Sequence, residues 1–167
     1  MADTLTSLLR LLIVATKVKD LDINDPRDAL SKEYETQLAS GTGSSQADLI
    51  FHDTRSLADG ASEDLDLAGV LADAFGATLT FAKVKALIIK NNSATQTLSV
   101  GGASANQFVN WVGDATDIIK IAPSGFFALT GPLAGYAVTA ATGDKLKVAN
   151  SAGAGATYDI IIIGTSA

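Results

Sequence analysis

From residue 33 onward, apolar and polar positions alternate along most of the chain. Tyr34, Thr36 and Leu38 alternate with polar partners, Ala47, Leu49 and Phe51 do the same, and Leu65 and Leu67 stand between acids. A period of two is the signature of a strand with one buried face. Residues 77–90 alternate Leu79, Phe81, Val84 and Ile88 with Thr, Lys and Ala, which predicts one long bent strand. Shorter runs follow at residues 98–100, 108–112, 118–121, 126–129, 136–139, 146–148 and 158–163, and Gly, Asn, Asp or Pro punctuates nearly every gap. Roughly ten short strands with turns such as Gly101-Gly102, Pro123-Ser124-Gly125 and Gly143-Asp144 predict an all-β fold. The expected form is a jelly-roll-like antiparallel β-sandwich with an N-terminal arm or extra strand. Ile160-Ile161-Ile162-Ile163 does not alternate, so it should be a central strand covered on both faces, by the opposite sheet and by a neighbouring subunit. Left open, it would be an aggregation hazard. No internal repeat points to a solenoid.

The first 20 residues carry two patterns. Leu5, Leu8, Leu9 and Leu12 recur at helical spacing, whereas Ile13, Val14, Thr16 and Val18 favour a strand. Strand is the preferred reading. Residues 20–32 are polar and hold Pro26, the first proline of the chain, so they read as an acidic linker or exposed loop. The chain therefore divides into residues 1–32, an arm or first strand with its linker, and residues 33–167, the sandwich domain. An apolar strip followed by a hinge suits an arm that packs on a neighbour, and a first strand of the same sheet is the alternative.

Composition narrows the function. The chain has 167 residues, 47% of them hydrophobic and 18% charged, which is too apolar for a disordered chain. No uncharged apolar run reaches the 18 or so residues that cross a bilayer, so a membrane partner is not expected. The net charge of -6 opposes a nucleic-acid partner, because phosphate binding needs clustered Lys and Arg. Most of the acidity lies between Asp3 and Asp66. The acidic start and Arg10 argue against a secretory signal, so Asn91-Asn92-Ser93 reads as a turn rather than a glycosylation site. With no cysteine and one histidine, disulfides, thiolate catalysis and Cys-based metal sites are excluded.

Candidate chemistry is sparse. Asp20, Asp22 and Asn24 have the first spacings of a calcium loop, but Asp25 stands where the turn needs Gly and Ser31 where a bidentate Glu is needed. A solvated acidic turn is the expectation, and no metal is assigned. His52 beside Asp53, with Ser44, Ser45 and Ser56 near in sequence, does not make a triad, because neighbours on a strand point to opposite faces. His52 is expected at a strand end, bonded to a turn. Glu63/Asp64 and Asp114/Asp117 have the residue types of glycosidase acids, but alternation with Leu65 and Leu67 places the first group on a wet outer face. Gly41-x-Gly43 and Gly153-x-Gly155 lack the third glycine and the helix of a dinucleotide site, so no cofactor is expected. Trp111 and Phe108 read as core. Phe126 and Phe127 must face opposite sides of a strand, leaving one ring as an interface candidate.

The segments from Gly41 to Arg55, from Asp64 to Gly69 and from Asp73 to Gly76 resemble small structural proteins encoded among the head genes of tailed bacteriophages. The similarity continues through Lys85 to Ile89, Val100-Gly101-Gly102, Thr142 to Val148 and Tyr158-Asp159-Ile160, and spans roughly residues 35–165. The resemblance implies a non-enzymatic, jelly-roll virion component of the head decoration (cement) kind. Such a protein is expected to form a homotrimer, bind the major capsid protein and sit on the outer capsid surface after assembly in the bacterial cytoplasm. The expected contacts are Leu8, Leu9, Leu11 and Ile13 for docking, with Phe126, Phe127 and Tyr136 at the subunit interface. The alternative is a carbohydrate- or receptor-binding fibre or tail domain that uses Trp111.

Overall fold

The computed structural model describes residues 4–167, and every named element is a β-strand. The first two, β1 (Ser7–Val18) and β2 (Arg27–Ser40), form one long antiparallel ribbon. The next four are β3 (Gln46–Ala47), β4 (Leu49–Leu57), β5 (Ser62–Asp66) and β6 (Ala68–Ala72). β7 (Thr78–Thr80), β8 (Lys83–Asn91), β9 (Leu98–Gly101) and β10 (Ile118–Ile121) follow. The chain ends with β11 (Phe126–Thr130), β12 (Tyr136–Ala137), β13 (Lys145–Asn150) and β14 (Ala156–Thr165).

Two antiparallel sheets build the body, a β-sandwich. One has the order β10-β9-β13-β5 and the other β11-β8-β14-β4, with β12 added to β8 and the small β6-β7 pair beside them. The alternation read from the sequence sorts inward from outward residues. Phe51, Leu87, Ile89, Ile160 and Ile162 of one sheet meet Leu65, Leu98, Val100, Leu146 and Val148 of the other in a single core. Burying a Leu or Ile there contributes about 1.5–3 kcal/mol each, and β-branched residues suit the pleat.

The structure departs from the sequence reading in several places. Residues 27–32, expected as linker, belong to β2, so the boundary between residues 32 and 33 falls inside a strand. Their polar character reflects a solvated ribbon edge, which strand geometry permits. The single strand expected at residues 77–90 is broken, because Phe81 N–H bonds Leu67 O and Ala82 N–H bonds Thr165 O, turning the chain between layers. Residues 108–112 form turns rather than a strand. The Phe108 side chain is buried, and its backbone N–H donates to Lys145 O. The Ile160-Ile163 run is the expected central strand between β8 and β4, with Ile160 and Ile162 fully buried toward the opposite sheet.

A bulge in β8 places the one buried lysine. Ile163 pairs with Ala86 and Gly164 with Val84, so Lys85 is the extra residue. A Cβ on Gly164 would lie 2.2 Å from Lys83 O, which reserves the position for glycine. Lys85 Nζ donates to Pro132 O (3.2 Å) and Leu133 O (2.8 Å) and ties the loop after β11 to the sheet. Burial, assisted by Lys83, pushes the Lys85 ammonium below the usual lysine range.

The acids of β5 are not simply a wet face. Glu63 shares its inward side with Leu65 and sits where the sandwich opens between β4 and β5. There it accepts from Arg55 Nε (2.8 Å) and from the Tyr158 hydroxyl (2.7 Å). Burial, reinforced by Glu63, pushes the Tyr158 phenol well above its usual range. Asp66 pairs with Lys145 across the β5-β13 ladder. Burial works to raise Asp66, but the Lys145 ammonium and the Ala68 N–H outweigh it and hold the carboxyl below the usual carboxylate range.

The folded pKa of Asp66 therefore lies below its unfolded value of about 3.9. Its contribution to stability is complete above that value and is lost as pH falls through the folded pKa. Urea unfolding of Asp66→Asn is expected to show lower stability than the parent at neutral pH and a shallower loss between about pH 5 and pH 2. Equal slopes for the two proteins would remove this pair from the account.

Candidate interaction surface: the ribbon and the sheet face beneath it

The register of the ribbon sorts its side chains into two faces. Leu9 opposes Thr36, Leu11 opposes Tyr34, Ile13 opposes Lys32 and Ala15 opposes Leu30, so these share one face, the inner one. Leu8, Arg10, Leu12, Val14 and Val18 occupy the other with Gln37, Glu35, Glu33, Ser31 and Arg27. The inner face is apolar over most of its length. On the outer face Arg10 of β1 pairs with both Glu33 and Glu35 of β2, the latter at 2.7 Å. These ion pairs are exposed and contribute at most about 1 kcal/mol each.

Only the foot of the ribbon is held by the body. Leu5, Leu9 and Leu38 pack with Ala47 of β3 and with Ile50, Ala86, Ile88 and Ile163 on the outer face of the β11-β8-β14-β4 sheet. Beyond that foot β1 and β2 have each other and water. With twelve paired positions at about 3.4 Å each, the ribbon is about 40 Å long.

The outer face of that sheet is ordered in rows. Thr130, Ala86, Ile163 and Ile50 form the row under the ribbon foot. Ala128, Ile88, Ile161 and His52 form the next, and Phe126, Lys90, Asp159 and Thr54 the third. In the first row Ala86 and Ile163 are buried, Ile50 is half-buried and Thr130 at the margin is exposed. The second is partly open, with Ile161 37% exposed, and Phe126 in the third is 62% exposed. Between this face and the ribbon runs an apolar groove of about 450 Å3, walled by Leu9, Leu11 and Tyr34 on one side and by Ile88, Ile161 and Phe126 on the other. Its polar lining residues are Arg10, Thr36 and Thr130. Asp159, in the third row, accepts a 2.7 Å bond from Thr54 Oγ1. Bonds from Thr54 and Asn92, with the nearby charge of Lys90, hold the Asp159 carboxyl below the usual range.

The expected contact residues divide accordingly. Leu9, Leu11 and Ile13 lie on the inner face of the ribbon, Leu8 on the outer face, and Phe126 at the groove. Phe127 and Tyr136 point toward the core margin. The Phe127 ring lies 5.7 Å from Trp111, and the Tyr136 hydroxyl reaches Thr130 O at 3.4 Å. Trp111 donates its indole N–H to Phe108 O at 2.8 Å and packs against the core. Leu12, Val14, Tyr34, Ile88 and Ile161 figure in the sequence patterns but were not expected as contact residues. The missing information was the β1-β2 register, although the unalternating isoleucines marked the sheet that carries Ile161.

Of the other candidate groups, the Asp25, Asp114 and Asp117 carboxylates cap turns, whereas the His52 side chain makes no hydrogen bond to a turn among the described residues. His52 stands in the middle of β4, not at its end, and faces outward beside Ile161. Asp117 Oδ2 accepts from the N–H groups of Gly113 (3.0 Å) and Asp114 (2.8 Å), and Asp114 Oδ1 accepts from Thr116 N–H (3.0 Å), so both carboxylates cap one turn. Asp25 caps the ribbon tip through Leu21 N–H at 3.2 Å. Among the described residues no group of three or more His, Cys, Asp or Glu side chains is placed to hold a metal ion. Compared with known proteins, the chain matches no family model, no curated protein and no solved structure.

The covered and open rows of one sheet face should respond differently to truncation. Ile163→Ala is expected to cost about 2–4 kcal/mol by leaving a cavity under the ribbon foot, and Ile161→Ala less than about 1 kcal/mol. Denaturant midpoints of the two variants check the difference, and equal losses would mean that the ribbon foot does not cover the sheet.

Proposed function

We propose that this chain is a structural component of a tailed-phage virion, a decoration protein on the outer capsid surface that oligomerises and bridges major capsid subunits. The observation that carries this reading is the ribbon. A two-stranded ribbon is marginally stable in water, and this one exposes Leu11, Leu12, Ile13, Val14, Leu30 and Tyr34 beyond the body. Such a surface is completed by contact with another macromolecule. A shell surface supplies that contact many times over, and each bridge across a seam adds buried area that must be separated before the shell opens.

The strand order supports a jelly roll as the fold of the body. Taking the eight main strands in sequence as β4, β5, β8, β9, β10, β11, β13 and β14, the first pairs with the last, the second with the seventh, the third with the sixth and the fourth with the fifth. That is a long four-level hairpin, and the β8-β14 and β9-β13 pairings roll it into two sheets. The ribbon precedes the roll, and the β6-β7 pair and β12 interrupt it between levels. The net charge of -6 suits a position away from the packaged genome. A homotrimer at three-fold positions is the assembly this reading favours.

The test is a ribbon-shortened variant in which Leu9 is joined to Thr36, its hydrogen-bonded partner, through Asn-Gly, a turn that fits a two-residue hairpin and keeps the foot. It is expected to fold with the parent's core stability and to lose at least about tenfold in binding to capsids assembled without the protein. Undiminished coating would refute the ribbon as the docking element. Absence of the intact protein from mature particles would refute the decoration role itself.

A further inference from the structure

We propose that β1 pairs edge to edge with β1 of a second copy, antiparallel about a two-fold axis near Leu12, to give a continuous sheet of order β2-β1-β1-β2.

The reason lies in the contrast between the two edges of the ribbon. β1 ends its sheet and offers an unpaired backbone edge along all twelve residues, and that strand holds only two charges, Arg10 and Lys17. β2 has its own free edge apart from Ala39 and Ser40, which pair with β3, and it carries Arg27, Asp28, Lys32, Glu33 and Glu35. Charged edges are how sheets discourage further pairing. β2 is defended in this way and β1 is not. β1 is also apolar on both faces, with Leu9, Leu11 and Ile13 on one and Leu8, Leu12 and Val14 on the other, the composition of a strand inside a sheet.

The occupant follows from the order of residues in β1. A two-fold axis perpendicular to the sheet keeps matching faces on one side, and it requires each residue to oppose one of the same parity. Centred on Leu12, the pairing sets Leu12 against itself, Leu11 against Ile13, Arg10 against Val14, Leu9 against Ala15 and Ser7 against Lys17. No like charges meet, and Arg10 keeps its bonds to Glu33 and Glu35 on its own β2. The middle of the seam is apolar, Arg10 and Lys17 are the only charges of β1, and the other ribbon charges lie on the outer strands. β4, another sheet-ending strand, lacks this property, since Asp53 and Arg55 interrupt it.

This contact stands on the ribbon alone and does not depend on a capsid. If it forms, the two inner faces merge into one wide apolar surface, which enlarges what the ribbon offers a shell.

The chain has no cysteine, so single cysteines report the pairing without background. Leu8→Cys, Leu12→Cys, Val14→Cys and Val18→Cys in the full-length protein are oxidised mildly and run on denaturing gels. Residues directly opposed across an antiparallel pair have Cα atoms about 4.5–5.5 Å apart, within reach of a disulfide. Leu12→Cys is expected to give at least about tenfold more covalent dimer than Val18→Cys. Arg10→Cys mixed with Val14→Cys should cross-link although neither does so efficiently alone. A flat profile across β1, or failure of the mixed pair beside a dimer peak elsewhere, would overturn the proposal. Monomer binding to neutral phosphatidylcholine vesicles without a cross-link would overturn it as well, and would assign the ribbon to a lipid surface.

Discussion

A strand that is apolar on both faces needs cover on both faces and a hydrogen-bonding partner on both edges. The backbone requirement is as strict as the apolar one, because an unpaired N–H or C=O shielded from water costs as much as a lost hydrogen bond. Two strands of this protein fall under that constraint. β14 meets most of it, with β8 and β4 as neighbours, the opposite sheet against Ile160 and Ile162, and the ribbon foot over Ile163. β1 meets only one part, the ladder to β2.

The rest of the architecture is organised around this contrast. The body closes its weak places internally: Arg55, Glu63 and Tyr158 fill the opening between β4 and β5, and Lys85 holds the loop after β11 against the bulge. The apolar surface left over is continuous, running from Phe126 and Ile161 through the groove to Leu11 and Tyr34 on the ribbon. An exposed apolar surface of this extent suits association with another macromolecule, and the proposed role as a virion component draws on that property.

Much of the fold was legible in the sequence because period-two alternation reports a half-buried strand directly. It gave β4, β5, β9, β10, β11 and β13 close to their places, and the missing alternation at Ile160-Ile163 located the central strand. What alternation could not report is pairing. The ribbon register, the bulge at Lys85 and the break at Phe81-Ala82 depend on partners distant in sequence. For the same reason the inward turn of Glu63 was hidden: a charge on a core face is stable only because Arg55 and Tyr158 meet it there. At the surface, Leu9, Leu11 and Ile13 were visible as apolar residues, but the groove needed the three-dimensional overlap of ribbon and sheet.

Amide hydrogen exchange along β1 at low and high protein concentration reports whether β1 gains a second strand. In a lone ribbon only every second amide of residues 8–16 bonds to β2, while the others face water. These outward amides are expected to gain protection as concentration rises, until both sets exchange slowly. Outward amides that exchange freely at every concentration would show that β1 has no further strand to join.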